Sequence, residues 1–547
     1  MNFFIKKFVP AVLLIILISG ILLMCSVPPV SRDALTQHLA VPKLYLHHGG
    51  IYELPGIIFS YYPELIDLIY CIPLAFGNDI IPKYIHFLFA LLTAVLIYKY
   101  IKKRLGTFLA LVSVLFFLSI PVIIKLSITV YVDLALIFFS TASLLSLLKW
   151  RKENFHSFWL ILSAVFCGLA LSTKYNGILT FFLLTCFTPF IYLNTESKAR
   201  FCQIKAVLYG FVFLFVSLMV FSPWIIRDYL WTNNPVYPLY DNYFNGQAEI
   251  LKSSSSSKAP INHFLVRKYV FGETWWETAL IPVRIFFQGE DDNPRLFDGR
   301  LNPFLLLLPL FAFVNLKRDN NSDFDINLKI MAWFSFLFIM IAFFKEDMRI
   351  RYISPAIPPM IILSAYGLNN ILNIQFSELS SKFRRSVPNC LVFLIIIFML
   401  SLNFIYFYHL FRATDPLPYL SGETTRDQYI QHYRPEYATL EFSNKNLDKK
   451  TKLLALFLGN RRYYSDHTIV FGIDIFKKAI NTSNSSDELL LKLKHHNFTD
   501  LIINYALLNE WIRNNFTRDK RILIQDFFIH KVKSLFKKGG YGLYNLK

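Results

Sequence analysis

The sequence predicts a polytopic α-helical membrane protein of about eleven transmembrane helices, with an extracytoplasmic α/β domain at its C-terminal end. Three observations predict it. Apolar windows close to the ~20 residues that cross ~30 Å of hydrocarbon recur from residue 8 to residue 409. The chain is 54% hydrophobic with a mean hydropathy of +0.42, above the ~45–50% apolar content of soluble domains, and its 55 Phe and 30 Tyr suit lipid-facing and interfacial positions. After Phe411 the pattern changes to short strand-like runs alternating with helical ones.

The windows fall near residues 8–27, 83–101, 107–122, 130–149, 157–172, 176–194, 205–225, 301–316, 329–345, 353–369 and 389–409. The first follows Lys6 and Lys7 as a signal peptide would, but "SVPPVSR" lacks a small-residue cleavage pattern, so it reads as a retained span. Lys6-Lys7, Lys102 to Arg104, Lys149 to Lys152, Lys198 to Arg200, Lys317-Arg318 and Lys382 to Arg385 all fall on one side of the resulting topology. The positive-inside tendency makes that side cytoplasmic, which puts the N-terminus inside a plasma (inner) membrane and the C-terminus outside. The net charge of +19 resides largely in these clusters, so membrane lipid accounts for it and nucleic acid is not an expected partner. The six cysteines form no CxxC or Cys/His ligand pattern, and none follows Cys390, so the tail is not a disulfide scaffold.

The organisation is then a membrane domain, 1–410, with outer loops 28–82 and 226–300, and an outer domain, 411–547. The first loop opens with Ser31-Arg32-Asp33 and continues too polar to span and too aromatic to be a loose linker. Asp133 stands at the outer mouth of the fourth span, where a carboxylate is costly unless it caps a helix or faces protein, water or a cation. Lys174 lies in the turn of "LALSTKYNGILTF", free to pair with Asp133, to meet a phosphate, or to snorkel to headgroups.

The second large loop offers Trp224, Arg227, Trp231, Tyr237 and Tyr240 as aromatic and polar surface for a sugar or an interface. "KSSSSSK" reads as a flexible insert, and the segment from Asn262 to Gly289 as a helix lying along the membrane. Asp291 and Asp292 are calcium candidates, although their spacing matches no loop signature and a solvated turn fits better. Asp298 and Arg300 are placed to pair at the next span. In "FFKEDMRIRYISPAIPP", Arg349 and Arg351 sit near hydrocarbon, where a phosphate, carboxylate or lipid headgroup explains a planar cation better than solubility does. In the tail, Gly459 to Tyr464 form a turn after a strand without a phosphate-binding fingerprint, and Asn481, Asn484, Asn497 and Asn515 are weak glycosylation sequons.

Taken in order, "SRDALTQHLAVPKLYLHHGGIYELP", "SYYPEL", "SIP" with "YVDLAL", "LALSTKYNGI", "SPWIIRDYLWTNNPVYPLY", "FDGRLNPFLLLLP" and "RIRYISPAIP" resemble a family over roughly residues 8–410. The family is the bacterial GT-C glycosyltransferases similar to dolichyl-phosphate-mannose protein mannosyltransferases and aminoarabinose transferases. The resemblance implies a GT-C fold, a polyprenyl-phosphate sugar donor and an unidentified envelope acceptor. It assigns the catalytic carboxylates to Asp33 and Asp133, and the phosphate-binding cations to Lys174 and Arg351 with Arg349 nearby. Relatives often carry two adjacent acidic residues in the first loop; Arg32-Asp33-Ala34 supplies one here, leaving Glu53 or Glu64 as the second. A divalent cation (Mg2+, Mn2+ or Ca2+) is a candidate cofactor, with Asp33 and Asp133 its candidate ligands, but the chain lacks a motif that would establish one.

Inverting transfer needs a carboxylate to take the acceptor proton and cations to offset charge on the leaving phosphate. Asp33 takes the first role, Lys174, Arg349 and Arg351 the second, Asp133 orients Lys174 or the acceptor, and His38 assists. His47 and His48 read equally well as interfacial residues. Two other readings stay open: a lipid-linked sugar transporter, which would distribute charge through membrane depth, and a ligase using a polyprenyl-diphosphate donor. A receptor or structural protein leaves the charged outer mouths unexplained.

Overall fold

The computed structural model describes residues 3–196, 201–246, 263–314, 322–345, 348–374 and 381–547. The serine-rich insert at 252–258 and the basic clusters at 198–200 and 317–318 lie outside these residues, as do the side chains of the clusters at 6–7 and 382–385.

The membrane domain is built from helices α1 (Phe3–Cys25), α4 (Ile81–Leu105), α5 (Thr107–Ser119), α6 (Pro121–Ser127), α7 (Asp133–Lys152), α8 (Ser157–Thr173), α9 (Gly177–Thr195) and α10 (Cys202–Thr232), with later helices at Phe304–Phe311, Ser322–Lys345, Ile357–Leu372 and Ser381–Thr414. The loop after α1 adds α2 (Ala40–His48) and α3 (Leu65–Ala75) before α4. Among the described residues seven helices are long and apolar enough to cross a membrane, or eight if α5 and α6 form one span bent by 66°. The bend has a local cause. Ile120 precedes Pro121, which disfavours the helical region, so Ile120 is extended at φ −57° and ψ 130° and α6 restarts with proline in its first turn.

Eleven long spans are therefore not present. The windows at 157–172, 301–316 and 353–369 fold as helices of 17, 8 and 16 residues. Proline shortens two of them. Phe304–Phe311 is interrupted by Pro309, and a 3₁₀ segment, Ile350–Ala356, takes up the start of the last window before Ile357–Leu372 begins at Pro358-Pro359. Helix α7 lies at the centre, with 83% of its apolar window inside the protein, whereas only 22% of the α10 window is inside; Phe211, Phe215 and Met219 of α10 point outward, as a lipid-facing stripe requires.

The segment 262–289 is not one helix. It breaks into His263–Tyr269, Trp275–Ala279 and Ile281–Arg284, with Gly272 at φ +68° between the first two. Asp291 and Asp292 stand in a turn with Asp292 exposed, as read from the sequence, and Lys125 lies 3.6 Å from Asp291 and 2.9 Å from Asp292 while Tyr406 donates to Asp291. Asp298 faces Arg349 at 3.4 Å rather than serving Arg300.

The C-terminal domain is α/β. Strands β1 (Lys452–Leu456), β2 (Thr468–Phe471) and β3 (Asp500–Asn504) are parallel, and the hairpin of β4 (Val532–Lys538) and β5 (Tyr541–Leu546) joins antiparallel on β3, giving the order β2-β1-β3-β5-β4. Buried Leu454, Leu456, Leu501 and Ile503 form a core with Phe476 and Leu493, which lie on the helices crossing from β2 to β3; Leu453, Ala455 and Ile502 face Leu440 on the other side. The loop after β1, Phe457 to His467, leaves the carboxyl edge of the parallel strands and docks on the loop between α1 and α4 of the membrane domain. The amides of Arg462 and Tyr463 both donate to the Leu35 carbonyl at 3.1 Å, and the Tyr464 hydroxyl donates to the Pro29 carbonyl at 2.7 Å.

Candidate active site

One end of the bundle gathers the polar groups. The first residue of α7, the residue following α8, the last turns of α10 and the segment Ile350–Ala356 gather there with the loop between α1 and α4, on which the C-terminal loop docks. Between them lies a cavity of about 280 Å³. Asp33, His38, Glu64, Lys174, Arg349 and Arg351 all line it, with Asn460 contributed by the C-terminal domain.

The chain turns Asp33 into this cavity with a short π-helical turn, Ala34–His38, a widened turn of a kind that recurs at functional sites. Arg351 donates to Asp33 at 2.6 Å. The guanidinium also lies 5.3 Å from the Tyr131 ring and 5.2 Å from the Tyr352 ring, and its Nε is buried without a hydrogen-bond partner. Burial alone would raise the Asp33 carboxyl; Arg351, helped by His38 and Lys174, overrides it and holds Asp33 below the usual carboxylate range. Burial likewise opposes the charge on Arg351, but Asp33 beside it holds the guanidinium well above its ordinary value.

A second pair stands next to the first. Lys174 donates to Asp133 at 2.8 Å and lies 5.1 Å from the same Tyr352 ring that Arg351 faces. Asp133 is 1% exposed and its other oxygen has no hydrogen-bond partner. Two cations, each held by its own carboxylate, thus approach the one Tyr352 ring.

The other wall is more acidic. Arg227 bonds Glu64 and Asp228, each at 2.8 Å, so one guanidinium serves two buried carboxylates. Tyr45 donates to Glu64 at 3.0 Å and Tyr175 to Asp228 at 3.2 Å. Burial, abetted by Asp67 and Asp228 and only partly offset by Arg227, pushes the Glu64 carboxyl up to about 8. One turn along α3, Asp67 meets His38 at 2.8 Å.

Asp133 and Arg227 lie behind the lining, each bonded to a residue that lines it. Glu53, Tyr237 and Tyr240 lie outside it. Glu53 accepts from Tyr61 at 2.7 Å, the Tyr237 ring packs edge-on against Tyr61 at 4.7 Å, and Tyr240 is 68% exposed. Sequence reasoning missed Asp67 and Asn460. A carboxylate inside the apolar run "LIDLIY", three residues after Glu64 and so on the same helical face, was a readable signal for the first; nothing in the sequence marks Asn460.

For a divalent cation, Asp33 and Asp133 are each taken by a cationic side chain, and among the described residues no group of three or more His, Cys, Asp or Glu side chains converges to hold a metal ion. This donor set does not make a metal site, and no step below is routed through one.

Residues 78–230 match the model of the dolichyl-phosphate-mannose-protein mannosyltransferase family, a segment that contains Asp133, Lys174 and Arg227 but neither Asp33 nor Arg351. No curated protein matches the chain significantly. Among solved structures, ArnT from Cupriavidus metallidurans bound to undecaprenyl phosphate is similar over 98% of this chain and 97% of its own, with a TM-score of 0.56 at 11% identity. Its apo form is similar over 97% and 96%, with a TM-score of 0.56 at 12% identity. The Archaeoglobus fulgidus oligosaccharyltransferase in complex with Zn and sulfate covers 96% of this chain with 73% of its own, at a TM-score of 0.50 and 10% identity. At these identities the structural likeness establishes the fold, and the matched segment lies across the helices that build the cavity. Over nearly its whole length the chain shares the fold of ArnT, and its residues 78–230 resemble the dolichyl-phosphate-mannose-protein mannosyltransferase family.

Proposed function

We propose that the protein transfers a sugar from a polyprenyl-monophosphate donor to an acceptor hydroxyl on an envelope lipid, glycan or protein, with inversion at the anomeric carbon. The observation that carries this reading is the pair of ion pairs, Arg351 with Asp33 and Lys174 with Asp133, flanking Tyr352 at one cavity. The undecaprenyl phosphate bound by the fold relative supports a lipid-borne donor.

In this reaction Arg351, Lys174 and Arg349 meet the phosphate and offset the charge that develops on it as the glycosidic bond breaks. The buried Arg351 Nε is a donor still without a partner for a phosphate oxygen. Asp33, kept ionised by Arg351, accepts the acceptor proton on the opposite face of the sugar, and Asp133 fixes the position of Lys174. Glu64 is the better candidate of the two for a second acidic residue in the first loop, because it lines the cavity and Glu53 does not.

The reading extends to topology. Residues 1–410 form the catalytic domain and 411–547 an extracytoplasmic domain that completes the cavity with Asn460. The short helices at 157–173, 304–311 and 357–372 join the seven or eight long ones in about eleven crossings, the N-terminus is cytoplasmic, and the cavity opens outward. A divalent cation, for which the zinc in the oligosaccharyltransferase is a precedent, would need ligands beyond Asp33 and Asp133.

The test is to reconstitute the protein in proteoliposomes with undecaprenyl monophosphate carrying labelled mannose, glucose, galactose or arabinose, and to add an envelope extract. Transfer of label from one of these donors to an extract component supports the reading. Failure of every monophosphate donor together with turnover of a diphosphate donor, or net passage of intact donor across the bilayer, contradicts it.

A further inference from the structure

The cavity holds a histidine whose tautomer its neighbours fix. His38 Nδ1 lies 2.8 Å from an Asp67 oxygen, and a carboxylate accepts, so Nδ1 carries the hydrogen. Its Nε2 lies 3.1 Å from the Gln37 amide nitrogen, which has hydrogens to donate and no lone pair to offer, so Nε2 is the acceptor. Both His38 and Asp67 are buried, at 7% and 9% exposure, yet both line the cavity. A carboxylate fixing one ring nitrogen so that the other presents its lone pair to a reaction site is the arrangement of a catalytic base.

The same cavity poses a problem that such a group solves. Asp33 is paired with Arg351 through its carboxylate, so a proton taken from an acceptor hydroxyl has little tendency to remain on it. Imidazole is intrinsically the stronger base. We propose that His38, oriented by Asp67, is the proton store of the transfer reaction. The acceptor oxygen bonds to the anomeric carbon as its O–H bond breaks, and the bond from that carbon to the phosphate oxygen breaks with its electron pair leaving on phosphate. The acceptor proton passes by way of Asp33 to His38 Nε2, which the Gln37 amide frees by turning away, and Asp67 stabilises the imidazolium. This inference rests on the proposed glycosyl transfer.

The charged groups around His38 are Arg32 and Asp33 on its own loop, Glu64 and Asp67 on α3, His86 on α4, and Lys174 and Arg351 across the cavity. Tyr131 packs on the ring at 5.8 Å. Asp67 is the one of these hydrogen-bonded to the imidazole, so its removal is the sharpest perturbation.

Two measurements test this on the full chain in lipid. In ¹⁵N-histidine NMR, the signal lost in His38→Gln is expected to be an Nδ1–H tautomer in the wild type and to shift in Asp67→Asn; an Nε2–H tautomer overturns the inference and leaves the glycosyl-transfer reading standing. With whichever labelled donor of the panel turns over, His38→Gln is expected to lower kcat about 100-fold with donor KM nearly unchanged. Asp67→Asn is expected to lower kcat in the same sense, with a melting temperature close to wild type serving as the folding control. An unaltered kcat in His38→Gln overturns the inference, and absence of turnover by the wild type with every monophosphate donor overturns it together with the reading beneath it.

Discussion

Arg351 and Asp33, 318 residues apart in the chain, meet at 2.6 Å and tie the 3₁₀ segment before the helix Ile357–Leu372 to the loop after α1. The pair determines the protonation of the carboxylate. With Arg351 present, Asp33 is ionised through the neutral range and loses its charge only as pH falls below the usual carboxylate value. In Arg351→Gln, burial is opposed only by the more weakly acting His38 and Lys174, so the acid-side loss of transfer is expected to move to higher pH. The pH profile of transfer by wild type and Arg351→Gln checks this.

Lys174 and Asp133 form the more deeply buried pair. Lys174→Met leaves a carboxylate that is 1% exposed without its cation, which is expected to cost about 3–5 kcal/mol. The double variant Asp133→Asn with Lys174→Met removes both charges and is expected to recover most of that loss while remaining inactive. Denaturation of the four proteins of this cycle in detergent, alongside transfer assays, checks both halves.

Glu64 carries its own pH signature. Its carboxyl is raised to about 8 in the folded protein against an ordinary value of about 4.3, so between these limits the folded state binds a proton that the unfolded chain has released. This contribution to stability is present at low pH and is lost as pH rises through about 8. The wild-type melting temperature is expected to fall between pH 5 and pH 8.5, and Glu64→Gln, which keeps an acceptor for Arg227 and Tyr45, is expected to flatten the decline.

How much of this the sequence discloses follows from where each signal resides. Asp33, Asp133, Lys174 and Arg351 stand at the ends of apolar windows, and a charge beside hydrocarbon is conspicuous because it is costly. Their pairing across 41 and 318 residues is tertiary and leaves no local trace, so Lys174 read equally well as a snorkelling residue. The apolar windows marked helices correctly in place, but not how long each would run, because Pro309 and the prolines near 355–359 shorten helices without altering hydropathy. Tyr240, promising by composition, turns outward, and Asn460 reaches the cavity because a loop of a separate domain docks there.

That docking makes a prediction of its own. Lys43 on α2 donates to the carbonyls of Tyr463 and Ser465, each at 3.0 Å, and to Asp466 at 2.7 Å, clamping the C-terminal loop above Asp33. Lys43→Met is expected to speed amide hydrogen exchange across residues 31–38 and to lower transfer about tenfold by loosening the geometry around Asp33. Hydrogen-exchange mass spectrometry in nanodiscs reads the first effect, and the transfer assay reads the second.

The central claim is that Asp33 is the carboxylate at which the acceptor proton leaves. Asp33→Asn preserves size and an acceptor oxygen for Arg351 while removing the base. In proteoliposomes charged with the labelled donor that the wild type uses, the variant is expected to bind donor with near wild-type affinity and to transfer at least about 100-fold more slowly. Transfer by Asp33→Asn at the wild-type rate would contradict the account.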